Sequence, residues 1–118
     1  MTDSPDPFLS EDNTQNVTPE DAEKIAVIFS RLATPRRILI LTTLLEAEQP
    51  LASSVIAAVT GQTEAACSFN LVRLAEVGLI HPIRSGRCTF YVPDRDVLNT
   101  ITGVLNGKAT RPKTEEVS

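Results

Sequence analysis

Residues 60–92 read TGQTEAACSFNLVRLAEVGLIHPIRSGRCTFYV, from Thr60 to Val92, and decide how the rest of the chain is placed. Cys67, Leu71, Leu74 and Gly78 fall at i, i+4, i+7 and i+11, one apolar stripe of a 3.6-residue period. The spacing predicts a helix from Glu64 to about Val77. Thr63 stands where an N-cap is wanted, Glu64 faces the helix dipole, and Gly78 is placed as a C′ glycine able to take positive φ. Two short apolar runs follow, Leu79-Ile80-His81-Pro82-Ile83 and Cys88-Thr89-Phe90-Tyr91-Val92. They flank Arg84-Ser85-Gly86-Arg87, a turn-forming cluster between two predicted strands that carries two arginines.

Upstream, the signals are those of helices. Thr18-Pro19-Glu20-Asp21 supplies an N-cap, a proline at the first helical position and two acids in the first turn. Ala22, Ile25, Ile28, Phe29 and Leu32 then share one face. Thr34-Pro35 repeats the start signal, and the body of the next helix, Ile38 to Leu45, is apolar nearly all round. Such a helix is expected to be buried on most sides, as the post of the core. After the break at Glu46 to Pro50, a short helix is expected from Leu51 to Val59, with Leu51, Val55, Ile56 and Val59 inward. Thr60-Gly61-Gln62-Thr63 is a tight turn into the next helix. Two helices joined by about four residues with a glycine at the corner are the helix-turn-helix signature. Beyond the hairpin, Asp94 caps a last helix with Val97, Leu98, Ile101, Val104 and Leu105 in a stripe. The order is helix, helix, helix, helix, strand, strand, helix: a mainly α (α+β) winged helix-turn-helix.

The whole chain has 118 residues, enough for one modest core, with five aromatics and no Trp, so that core is aliphatic. Residues 1–17 are acidic and turn-rich and are expected to be disordered; 18–106 form the globular part, and 107–118 a flexible tail. The net charge of −4 is unevenly spread. Residues 1–30 carry seven acids and one lysine, whereas 31–95 carry seven arginines and five acids, leaving the core of the chain mildly basic. No apolar run reaches membrane-spanning length, and the N-terminus lacks the basic and apolar regions of a signal peptide. A cytoplasmic protein with reduced thiols is expected.

Three segments together resemble one family. Leu32-Ala33-Thr34-Pro35-Arg36-Arg37-Ile38-Leu39-Ile40-Leu41 is similar to the opening of the second helix in the ArsR/SmtB family of bacterial transcription repressors. Ser68 to Ile80 is similar to that family's recognition helix, and Ser85-Gly86-Arg87 with Tyr91 to its wing. The resemblance spans roughly residues 18–106. It implies a homodimer joined through the first and last helices, which binds double-stranded operator DNA and is released by a ligand. Metal sensors of the family often carry a cysteine pair in the third helix, where this chain reads Leu51-Ala52-Ser53-Ser54-Val55-Ile56. Others use Asp, His and Glu on the last helix; here Asp94 and Asp96 are explained as capping residues, and His81 is the single histidine. No transition-metal site and no cofactor are expected.

Arg84 and Arg87 on the wing, and Arg36 and Arg37 at the start of the second helix, are candidates for phosphate contacts. On the recognition helix the candidates are Ala65, Ser68, Phe69, Asn70 and Arg73, with Ser68 and Asn70 on the flanks. That face offers one arginine, two small polar groups and a phenylalanine suited to a thymine methyl, a thin set for reading base edges. Cys67 and Cys88 are candidates for a redox switch, set against Cys67 as a small hydrophobe on the apolar stripe. No phosphate-binding glycine loop or nucleophile-histidine pair appears, so no catalytic residue is expected. The expectation is a dimeric DNA-binding regulator answering an unidentified small-molecule or redox signal. Two alternatives stand beside it: a winged-helix protein-interaction module that does not bind DNA specifically, and a thiol-responsive repressor acting through Cys67 and Cys88.

Overall fold

Each of the first two helices starts on a threonine followed by proline. In the computed structural model, which describes residues 17–107, Thr18 and Asp21 bond reciprocally. The Asp21 N–H donates to Thr18 Oγ1 at 3.0 Å and the Thr18 N–H donates to Asp21 Oδ2 at 3.4 Å, opening helix α1 (Pro19–Leu32). Thr34 Oγ1 accepts from the Arg37 N–H at 3.2 Å, and α2 runs Pro35–Glu46. Helix α3 (Ser53–Thr60) ends at Gly61 with φ 72°. Thr63 Oγ1 accepts from the Ala66 N–H at 3.1 Å and starts α4 (Glu64–Glu76). At the far end of α4, the N–H of Gly78 (φ 80°) donates to Ala75 O at 3.0 Å and that of Leu79 to Leu74 O at 3.2 Å. This is a Schellman closure, which only a residue at ease with positive φ forms without strain. It delivers Leu79 and Ile80, both fully buried, straight into the core. Helix α5 spans Arg95–Leu105.

The sheet holds one strand more than the sequence suggested. Leu51 and Ala52, expected as the first turn of α3, form strand β1, and α3 begins only at Ser53. With β2 (Ile80–Ser85) and β3 (Cys88–Pro93) they make an antiparallel sheet in the order β1-β3-β2, with Leu51 opposite Tyr91 and Ala52 opposite Phe90. Their pairing partners lie about forty residues further along the chain, beyond the reach of local periodicity. Pro82 is tolerated because β2 is an edge strand.

Starting α3 at Ser53 rotates its inward face. Ile56 and Ala57 are buried, while Val55 and Val59, expected inward, are 44% and 63% exposed. The view of α2 also needs correction. Ile40, Leu41 and Leu44 are buried against α3, α4 and β3, but Ile38 and Leu39 are about half exposed in the single chain, so α2 is covered on one side only. The stripe of α4 is as expected, with Cys67, Leu71 and Leu74 at 1% exposure or less.

Two compact units are distinguished. Val27–Arg95 contains the helix-turn-helix, the sheet and the core just described. The other holds the start of α1 and, from Asp96, α5, in which Ile101 is buried and Leu105 is 65% exposed. No residue of α1 is buried, despite its apolar face. The segment expected to be disordered, 1–17, and the expected flexible tail, 107–118, lie outside the described residues apart from Val17 and Gly107.

Candidate nucleic-acid interface

Burying Cys67, Leu71 and Leu74 turns the opposite side of α4 outward. Ala65 and Ser68 are exposed there, with Phe69 57% and Val72 46% exposed. Asn70 departs from the expectation. It is only 8% exposed, and both ends of its amide are taken. Its Oδ1 accepts from Arg37 Nε at 3.0 Å and its Nδ2 donates to Gln62 Oε1 at 3.0 Å. Gln62 in turn donates through Nε2 to Thr60 Oγ1 at 3.0 Å and to the Arg36 carbonyl at 3.5 Å. Arg37 completes the network by donating from NH1 to the Arg31 carbonyl at 2.9 Å. Asn70 and Arg37, both proposed from sequence as DNA contacts, thus tie the turn and α4 to the α1–α2 joint. Buried polar groups need partners, and these found theirs within the protein.

Arg73 is engaged at one end only, its Nε being buried without a hydrogen-bond partner among the described residues. Its NH2 donates to Glu76 Oε2 at 3.1 Å, one turn along α4, and its guanidinium lies over the Phe69 ring, 5.1 Å from the centroid. Glu76 is bound on its other oxygen by Arg31 of α1. The hydrogen bond from Arg31, helped by the charges of Arg73 and Arg31, outweighs partial desolvation and holds the Glu76 carboxyl below the usual carboxylate range. The i,i+3 spacing of Arg73 and Glu76 was visible in the sequence. The third member, Arg31, came from another helix and gave no local signal.

The hairpin tip forms as the turn residues predicted. Ser85 pairs with Cys88 across the two-residue turn Gly86-Arg87, and Gly86 takes φ 64°, the positive value required at the first position of the turns that suit twisted hairpins. Arg84 and Arg87 are both exposed, with Arg84 NH1 donating to Thr89 Oγ1 at 3.2 Å. Arg36 is exposed at the N-terminus of α2. These three guanidiniums have the planar donor geometry that suits phosphate oxygens.

The two thiols sit in contrasting settings. Cys67 is buried, and burial, followed by the nearby Glu64 charge, pushes its thiol up, so it is held neutral. Cys88 is exposed on the wing, and the two are not bonded to each other. His81 Nε2 lies 2.7 Å from Asp94 Oδ2, which accounts for the single histidine by an ion-pair or hydrogen-bond role at the base of the hairpin. Among the described residues, no helix is long and apolar enough to cross a membrane.

No protein-family model matches the chain. The nodulation protein NolR of Rhizobium meliloti is 31% identical over 102 residues, covering 84% of this chain and 82% of that protein. Among solved structures, NolR of Sinorhizobium fredii aligns with TM-score 0.62 and 28% identity over 82% of this chain and 99% of its own. A homodimeric winged helix-turn-helix DNA-binding domain from Mycobacterium bovis, reported as a possible ArsR-family transcriptional regulator, aligns with TM-score 0.62 and 29% identity. That alignment covers 72% of this chain and 78% of the other.

Proposed function

Because the chain belongs to the ArsR family of winged helix-turn-helix transcriptional regulators, we propose that it acts as a homodimeric repressor of double-stranded operator DNA. The observation that carries this is the pairing of an exposed outer face on α4, the second helix of the helix-turn-helix, with a wing whose tip bears exposed Arg84 and Arg87. In this reading α4 enters the major groove, while the wing arginines and Arg36 hold flanking phosphates. Residues 18–106 are the DNA-binding and dimerisation domain. The role is regulatory and non-enzymatic, and its setting is the cytoplasm.

Dimerisation through α1 and α5 is supported by apolar surface that the single chain leaves uncovered. On α1, Val27 is 49% exposed, and Leu105 of α5 is 65% exposed. Both helices present an apolar stripe, yet between them only Ile101 is buried. A two-fold partner would remove this surface from water. Repression would be relieved by an effector that binds the free and DNA-bound conformations unequally. The test is fluorescence anisotropy of the full chain on duplex DNA from upstream of its own gene, with a scrambled duplex as control. Preferential binding at low salt is expected, together with dimeric mass by light scattering. No binding at micromolar protein would refute the reading.

A further inference from the structure

Taking the DNA-binding reading as its premise, we infer that α4 selects its operator by apolar contact between Phe69 and a thymine methyl group in each half-site. The polar side chains that ordinarily read base edges are withdrawn from this helix. The amide of Asn70 is buried, with donor and acceptor both occupied by Gln62 and Arg37. The guanidinium of Arg73 is folded over Phe69 and held by Glu76, which Arg31 fixes from the other side. What remains exposed on the outer face of the helix, from its first turn to its middle, is Ala65, Ser68, Phe69 and Val72. Of the groups displayed in the major groove, the thymine C5-methyl is the apolar one, and Ala and Phe are side chains that pack against it.

The same exposed apolar pair on a free surface would be a liability, since more than half of Phe69 meets water. On DNA, covering it offsets the lost hydration. Arg73 contributes by stacking its guanidinium over the Phe69 ring, 5.1 Å from the centroid, which makes it a positioning residue in this scheme rather than a guanine reader. Each buried methyl is worth roughly a fourfold change in affinity. One such contact in each half-site of a dimer therefore amounts to roughly tenfold or somewhat more.

The experiment uses the full chain and a random-sequence duplex library, from which bound sequences are selected at low salt. The selected duplex is then remade with deoxyuridine in place of each half-site thymidine in turn, which removes the methyl and leaves the base-pairing edge intact. The expected result is a loss of roughly tenfold at one symmetric pair of positions, and no difference between the thymidine and deoxyuridine duplexes for Phe69→Ala. Phe69 is exposed, so that variant should fold, and circular dichroism checks it. Equal affinity for both duplexes would overturn the inference while leaving DNA binding intact. So would a T-to-U difference that survives Phe69→Ala, or a preference lost on 7-deazaguanine, which would put Arg73 on a guanine. Failure to retain any duplex would overturn the DNA-binding reading and this inference with it.

Discussion

Replacing Asn70 by alanine separates a structural role from a base-reading one. In the folded chain the Asn70 amide accepts from the Arg37 guanidinium and donates to Gln62, each at 3.0 Å, at a site only 8% exposed. A hydrogen bond to a charged group contributes about 1.5–3 kcal/mol and a neutral one about 0.5–1.5 kcal/mol. Asn70→Ala should therefore cost roughly 2–4 kcal/mol, a large fraction of the 5–15 kcal/mol typical of a small domain. In urea this is a midpoint lower by roughly 1–2 M at unchanged slope, measured at fixed protein concentration because the proposed dimer would couple stability to concentration. Asn70→Asp keeps the acceptor for Arg37 and should cost less. Ser68→Ala, on the exposed face of the same helix, should stay within about 0.5 kcal/mol of the parent. An Asn70→Ala protein of parental stability that had lost only its sequence preference would refute the reasoning, since it would put the amide on a base edge.

Glu76 gives a pH dependence of definite sign. Its carboxyl is held low in the folded state by Arg31 and Arg73, so its contribution is present above the unfolded carboxylate value and is lost as pH falls through the folded one. Urea midpoints of parent and Glu76→Gln should differ at about pH 7 and converge towards about pH 3, and a constant gap would contradict the assignment. For the thiols, a disulfide-exchange reagent should titrate Cys88 in the native protein and reach Cys67 only on unfolding, because Cys67 is buried and its thiol is held neutral. Two equally fast thiols would show that the α4 core opens. Gly86→Ala places a Cβ at φ 64° and should cost roughly 1–2 kcal/mol, read as a lower thermal midpoint. An unchanged midpoint would mean that the turn relaxes to another form.

What was legible in the sequence was what local chemistry decides. Thr63 and Gly78 bound α4, Ser85-Gly86-Arg87 places the hairpin, and Thr18-Pro19 and Thr34-Pro35 start two helices; each signal acts within about four residues. Strand β1 was hidden because two residues cannot show a period, and its partner Tyr91 lies far along the chain. Missing it shifted the phase of α3 and turned Val55 and Val59 the wrong way. Ile38 and Leu39 made α2 look wholly buried, yet their surface is open in the single chain. At the candidate interface, the wheel placed Asn70 on the flank of α4. Whether a flank is wet or dry depends on Arg37 and Gln62 arriving from other elements. Arg73 reads as a base contact until Arg31 and Glu76 are seen beside it. The exposed wing arginines needed no such tertiary knowledge, because a two-residue turn projects its flanks into solvent.

The salt dependence of operator binding tests the central claim most directly. Arg36, Arg84 and Arg87 are the exposed guanidiniums proposed to hold phosphates, and the two protomers of the proposed dimer would bring six of them to the duplex. Neutralising six phosphates predicts that log K falls with log salt at a slope of roughly −5, and Arg87→Ala, which removes two, should flatten it by about 2. Anisotropy titrations of parent and variant at several salt concentrations read both values. A slope near zero, or one that Arg87→Ala leaves unchanged, would contradict a dimer that grips DNA through its wings.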